Sequence, residues 1–146
     1  RGGLQPARDG GLVRGGPGIL PYDRPFFIPI QIGARRATGA IDTGSSLSMH
    51  LPMALLEQIE ASPPEPAGTA RRANTVFHMY ESVLAEPVQI GSFNASSLRV
   101  SVSREAPVDH VNIGLGLVGK SVLKIHQVSK LVAILPASAG TVRPTP

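Results

Sequence analysis

The stretch Ala37-Thr38-Gly39-Ala40-Ile41-Asp42-Thr43-Gly44-Ser45-Ser46 decides how the rest of the chain is read. Small and apolar residues lead into it, as in a buried strand, and it ends on one acid, short hydroxyls and a glycine. An acid at a strand end sits where a backbone turn can aim its carboxylate into a cleft. Gly44 has no Cβ, so its peptide N–H can approach that carboxylate closely. Thr43 and Ser45 carry hydroxyls that donate and accept within a polar network. An isolated Asp-Thr-Gly also serves simply to close a strand, with Asp capping the turn, so the flanking sequence has to discriminate.

Upstream, Pro25-Phe26-Phe27-Ile28-Pro29-Ile30-Gln31-Ile32 alternates as a strand, with Pro29 marking an edge or a bulge. Gly33-Ala34-Arg35-Arg36 turns the chain, so Ala37 to Ile41 returns as the partner and Asp42 closes the second arm of a β-hairpin. Downstream, Pro52 fits a first helical position, and Met53, Leu56 and Ile59 fall on one face of a short helix. Gly68 to Tyr80, polar at its centre Arg71-Arg72-Ala73-Asn74, predicts a long hairpin. Residues 86–90 and 97–102 predict two strands joined through Gly91-Ser92-Phe93-Asn94, the second alternating Leu98, Val100 and Val102 with Arg99 and Ser101. Val111 to Leu117 is another buried stretch, residues 120–124 predict a helical turn or two, and residues 130–135 a closing strand.

Composition agrees with a turn-rich β protein of one domain: 146 residues, 42% apolar, 16 Gly and 14 Pro, with no Trp. There is no cysteine, which removes disulfides, thiol catalysis and thiolate metal sites. No apolar run approaches the length of a membrane span. The net charge of +4 comes from scattered arginines, and no nucleic-acid partner is expected, although Arg1-Gly2-Gly3 and Arg14-Gly15-Gly16 form a sparse RGG pattern. Residues 1–20 read as a flexible Gly/Arg/Pro-rich lead, 21–136 as the domain and 137–146 as a frayed tail. The compartment is not fixed by the sequence; export or a periplasmic location is the expectation if Arg1 is a processed end.

Other motifs compete for a function. Gly114-Leu115-Gly116-Leu117-Val118-Gly119-Lys120-Ser121 formally satisfies the phosphate-loop pattern, but no Asp or Glu follows Ser121 to complete a nucleotide site. His50, His78, His110 and His126 show no metal-ligand spacing, and His110 beside Asp109 reads as a solvated loop pair. Ser45 and Ser46 lack a nucleophile elbow. Asn94-Ala95-Ser96 matches a glycosylation triplet that is common by chance.

The run Asp42-Thr43-Gly44-Ser45 resembles the active-site signature of aspartic proteases, and the order of elements from Phe26 to Leu135 is similar to the single-domain retropepsin-like family. Gly68 to Tyr80 stands where that family keeps a substrate-covering flap. Ile113-Gly114-Leu115-Gly116 stands where it threads an apolar strand beneath the active-site loop before a short helix. Two departures are visible: Leu117-Val118-Gly119-Lys120 replaces a segment that often carries Asn or Asp, and the hairpin tip lacks the glycines of many relatives.

The resemblance implies an all-β fold with one or two short helices, a closed or partly open barrel of the acid-protease type, one lobe per chain. It also implies an aspartic endopeptidase built as a homodimer, with Asp42 from each copy activating water against a peptide or protein substrate, and no metal or organic cofactor. Thr43 would brace the two loops, Gly44 would hold the carboxylates through its N–H, and Ser45 would bond the outer carboxylate oxygen. The rival is a catalytically silent module of the same fold, used for dimerisation or peptide capture.

Overall fold

The period-two alternation becomes an almost entirely β structure in a computed structural model that describes residues 12–24, 26–105 and 110–136. The hairpin around the first signature is formed by β2 (Phe27–Ile32) and β3 (Arg35–Asp42), preceded by the short β1 (Leu20–Pro21). Then follow β4 (Met49–Pro52), α1 (Met53–Leu56), β5 (Glu65–Arg72) and β6 (Thr75–Val83). The second half carries β7 (Val88–Ile90), β8 (Phe93–Ala95), β9 (Arg99–Ser103), β10 (Val111–Gly114), α2 (Leu115–Val118), β11 (Ser121–His126) and β12 (Leu131–Pro136). Both helices have four residues, and no helix among the described residues is long and apolar enough to cross a membrane.

Nine strands form one sheet in the order β5-β6-β9-β4-β10-β3-β2-β7-β8, and β1-β12-β11 form a second. Neither sheet closes on itself, so the open form of the expected barrel is the one observed. The decisive feature is the placement of β10 between β3 and β4, two strands consecutive in the chain. It runs parallel to β3, with Gly114 opposite Asp42, and antiparallel to β4, with Asn112 opposite His50. Across these strands one face is apolar: Ile41, Met49, Leu51, Val100, Val102, Val111 and Ile113 are buried in the main core. Each fully buried side chain of this size contributes roughly 1.5–3 kcal/mol relative to exposure, so the register that keeps them inward is strongly fixed.

Several local expectations are corrected. The segment after Gly91 does not run directly into the strand at 97–102. Gly91, at φ 61°, turns β7 back onto β8 as a tight hairpin, with Ile90 opposite Phe93. Residues 121–124 are strand, not helix, and Lys120 lies in the turn before them. Val122, Leu123 and Ile125 lie in β11 paired with β12, β-branched and apolar residues that fit a pleated surface better than a helical turn, while the helical turn lies earlier, at α2. Within the lead, Leu12 is buried against Leu131 and Ala133, and Leu20 pairs with Val132, so residues from 12 onward are anchored by apolar contact. Pro29 sits where β2 has only β3 as a partner, since β7 pairs with Gln31 and Ile32 alone; its missing N–H therefore leaves no gap in the ladder. The tail from 137 onward and Asp109 lie outside the described residues.

β5 and β6 form the long hairpin anticipated at 68–80, extended at both ends and paired from Glu65 opposite Glu81 to Arg72 opposite Thr75. Its two-residue loop puts Ala73 at φ 53°, in the left-handed region for which a glycine is the usual solution. β5 is exposed along its length where described, so the hairpin leans on β9 through β6. A second tie comes from Glu105, which accepts the His78 backbone N–H at 3.0 Å and meets His78 Nδ1 at 2.9 Å.

Two predictions follow from this packing. A Cβ at Gly114 would lie 2.2 Å from the Leu47 carbonyl oxygen and 2.9 Å from that of Ser45, both backbone atoms that cannot swing away. Gly114→Ala should therefore cost about 2 kcal/mol or more. At Gly39 the nearest atom is the flexible Ile113 Cδ1 at 2.6 Å, so Gly39→Ala should cost less. Urea titration of the two variants gives the comparison, and equal stabilities would contradict the close-approach account. The second concerns Glu105, whose carboxyl is held below its ordinary value of 4.5 by the hydrogen bonds from the His78 side chain and backbone. A depressed carboxyl contributes above its unfolded value and loses that contribution as pH falls through its folded value. Amide exchange at His78 should lose protection on acidification below pH 4.5 in the wild type, whereas Glu105→Ala should show low protection at every pH. The pair is exposed, so the global melting temperature should hardly move.

Candidate active site

The site is built from the end of β3. Asp42 is its last residue, and the chain turns at once, the Ser45 N–H donating to the Asp42 carbonyl at 3.1 Å. That turn brings the Gly44 N–H to Asp42 Oδ1 at 2.9 Å. The other carboxylate oxygen, Oδ2, accepts from Asn112 Nδ2 at 3.2 Å, a side chain supplied by β10. Each oxygen therefore has its own donor, one from the backbone of the loop and one from the threaded strand. A carboxylate held by donors on both oxygens is fixed in rotation as well as in place.

The loop itself is clamped to the segment that begins at Gly114. Gly114 N–H donates to the Ser48 carbonyl at 3.0 Å, Leu115 N–H to Ser45 at 2.8 Å and Gly116 N–H to Leu47 at 3.0 Å. Ser45 Oγ accepts the Leu47 N–H at 3.2 Å, and Ser48 Oγ donates to the Arg99 carbonyl at 2.5 Å. This network spends the backbone donors that a phosphate loop would offer. Gly119 N–H, the next glycine in that pattern, bonds Leu115 at 2.8 Å. The formal phosphate-loop match is thus a strand end, a four-residue helix and the start of β11, not a cradle for phosphates.

Of the residues singled out from the sequence, Asp42 and Ser45 are half-buried, whereas Thr43 and Gly44 are exposed on the loop. Gly44 makes the contact expected of it. Ser45 supports the loop, its hydroxyl accepting the Leu47 N–H, and the second carboxylate oxygen of Asp42 is met by Asn112. Asn112 was not singled out in the sequence. Its signal was a lone polar residue in the apolar run Val111 to Leu117, directly before the Ile113-Gly114 pair. Two surface concavities, one around Arg35, Glu57 and Glu86 and one around Tyr22, Arg24 and Thr38, do not include Asp42.

The sheet face opposite the apolar core continues away from Asp42 as a polar strip. Register places Asn112 beside His50 and His50 beside Ser101. His50 Nε2 bonds Ser103 Oγ at 3.0 Å, and Ser103 is almost wholly buried. Met79 of β6 is the register partner of Ser103, so the same face extends under the β5–β6 hairpin. Among the described residues no group of three or more His, Asp or Glu could hold a metal ion. His110, expected in a solvated pair, packs its ring edge-on against Phe27 at 4.7 Å between centroids. Chemically, the site offers one oriented carboxylate on a clamped loop, beside a strip of hydrogen-bonding side chains. Such a group can take a proton from water or give one to a carbonyl, but a single copy cannot do both at once.

No family model matches the chain, and no curated protein matches it in sequence. Among solved structures, it is similar to a retropepsin-like aspartic protease from Rickettsia conorii, at 19% identity and a TM-score of 0.60 over 80% of this chain and 96% of that one. That likeness shows the fold: this chain has the all-β architecture of retropepsin-like aspartic proteases.

Proposed function

We propose that the protein is an aspartic endopeptidase whose site is completed by a second copy of the same chain. The observation that carries this reading is the Asp42 carboxylate, held on both oxygens by Gly44 and Asn112 at the junction of β3 and β10. Peptide hydrolysis by acids alone needs one carboxylate to accept a proton from water and a second, protonated, to polarise the carbonyl. The chain contains one Asp-Thr-Gly. A twofold axis past the exposed Thr43-Gly44 loop would bring two Asp42 side chains together, and at such a separation they would share one proton and titrate as a coupled pair.

In that arrangement water, held between the two carboxylates, attacks the scissile carbonyl. One Asp42 takes the water proton, and the other donates its own to the carbonyl oxygen as the tetrahedral gem-diol forms. Collapse of that intermediate breaks the C–N bond, with the proton returned to the leaving amine. Thr43 would brace the two loops across the axis, and Gly44 would keep its carboxylate in the plane the pair requires. The substrate would lie extended between the polar face of the sheet and the β5–β6 hairpin, which would act as a flap. The segment has the properties of one: β5 is exposed where described, and the hairpin is held chiefly through β6. Lids come from such weakly anchored parts of a fold because they must open.

Three experiments test this. Asp42→Asn should remove cleavage of a denatured polypeptide across pH 3 to 7, a loss of about a thousandfold or more, while leaving the circular dichroism spectrum unchanged. Wild-type specific activity should fall on dilution below the dimer dissociation constant. Full activity in purified Asp42→Asn would end the aspartic-protease reading, and activity of a species that sediments strictly as a monomer would end the two-copy site. Deleting residues 70–75 should lower kcat/KM for peptides by tenfold or more while shifting the melting temperature by only a few degrees, an order set by lid behaviour. Unchanged catalytic efficiency in the deletion variant would remove the flap assignment.

A further inference from the structure

Resting on that reading, we infer that the subsite beside the scissile bond selects substrates with an uncharged hydrogen-bonding side chain, and that Asn112 is the residue that imposes the selection. The argument begins with the pleat. In β10, Val111 and Ile113 are buried in the core and Asn112, between them, points to the opposite face. That is the face of Asp42, as the 3.2 Å bond between them demonstrates. A side chain of an extended substrate bound across Asp42 must therefore project onto, or next to, Asn112.

On the β3 side the register partner of Asn112 is the small, buried Ala40, and on the β4 side the face is polar. His50 is its register partner on β4, and Ser101 is the partner of His50 on β9. His50 Nε2 is bonded to Ser103 Oγ at 3.0 Å, with Ser103 just 1% exposed. In a fold whose other sheet face is built of Val, Ile, Leu and Met, these positions carry amide, imidazole and hydroxyl groups in one continuous row. Nothing in the packing of the core requires this, because none of these side chains faces the core. His50 has both ring nitrogens turned inward, Nε2 on Ser103 and Nδ1 buried, so the polar group that substrate meets on this row is the half-buried Asn112 amide. An aliphatic substrate group pressed onto it would strip water from the amide without replacing its hydrogen bonds, a loss that disfavours binding. A Ser, Thr, Asn or Gln side chain would restore those bonds. An anionic side chain is disfavoured by the Asp42 carboxylate beside Asn112.

The twofold arrangement adds a consequence. Each copy would contribute its own Asn112, so the two residues flanking the scissile bond meet equivalent subsites. The preference for hydrogen-bonding side chains should therefore appear on both sides of the cleaved bond.

The test is cleavage of a diverse peptide library by the purified full chain, with cleavage positions read by mass spectrometry. Wild-type, Asn112→Leu and Asp42→Asn proteins are compared. Wild type should cut preferentially between residues bearing uncharged hydrogen-bonding side chains. For matched peptides carrying Gln or Leu at the flanking position, Asn112→Leu should shift the kcat/KM ratio toward Leu by tenfold or more, as expected when a site loses a hydrogen-bonding group. The ratio cancels any uniform loss from a less well positioned Asp42, so a purely structural role for Asn112 would leave it unmoved. Cleavage that requires Asp42 but favours large apolar residues in the wild type would overturn this inference alone, even if Asn112→Leu does not fold. An unmoved ratio in a folded Asn112→Leu protein would do the same. The absence of any Asp42-dependent cleavage in the wild type would overturn both this inference and the protease reading on which it rests.

Discussion

The parallel pairing of β10 with β3 is the contact on which the other features depend. Parallel neighbours cannot be joined by a tight turn, and here they are separated by residues 43–110, with Gly114 placed opposite Asp42. Because β4 lies on the other side of β10, the loop from Thr43 to Ser48 must arch over the strand that separates its two ends. Gly114 to Gly116 then satisfy the carbonyls of Ser45, Leu47 and Ser48 from below. An exposed hydroxyl- and glycine-containing loop would otherwise sample many conformations. The three hydrogen bonds hold it to one, and the carboxylate at its base is oriented as a result. The absence of a side chain at Gly114 is what permits the approach.

Once that pairing is set, the alternation of each strand separates structure from chemistry. Ile41, Ile113, Met49 and Val102 close the core on one face. On the other face, Asp42, Asn112, His50 and Ser103 are neighbours without any of them having to be buried in hydrocarbon unpaired. This arrangement avoids the usual cost of polar groups in an interior, because the same strand that contributes apolar side chains to the core contributes donors to the site. It also ties catalytic geometry to overall stability, since a one-residue slip of β10 would put Asn112 in the core and Ile113 against the carboxylate.

The legible part of the sequence was the part governed by local rules. The hairpin of β2 and β3, the long β5–β6 hairpin and the short helix after Pro52 follow from alternation, turn residues and proline placement. The parallel partner of β3 was located only by the resemblance, because pairing across about seventy residues leaves no periodic trace in the chain. The β7–β8 hairpin was missed because Phe93-Asn94-Ala95 is too short to show alternation, and β11 was misassigned because Lys120 and Lys124 fit one helical face equally well. Leu12 looked like part of a solvated lead because its partners, Leu131 and Ala133, lie at the far end of the sequence. Asn112 escaped for a related reason. A single polar residue inside an apolar run gains meaning only when register shows that it faces Asp42 rather than solvent.

The half-site proposed for the single chain has an electrostatic logic. A carboxylate has about four lone-pair positions, and Gly44 and Asn112 occupy one on each oxygen. The remaining capacity faces outward, toward water or toward another copy. Two fully charged carboxylates about 4 Å apart would repel by roughly 4 kcal/mol at an effective dielectric of about 20. Leu47 and Leu115, 41% and 42% exposed beside the loop, offer apolar area that a partner would cover, and with four such side chains in a twofold pair, at roughly 1 kcal/mol each, that gain is about the size of the repulsion. In a dimer of the proposed kind, a single shared proton would replace the repulsion by a charge-assisted hydrogen bond and leave the apolar gain in place. That shared proton would then be the one the proposed hydrolysis needs, with one acid and one base already assigned when substrate arrives.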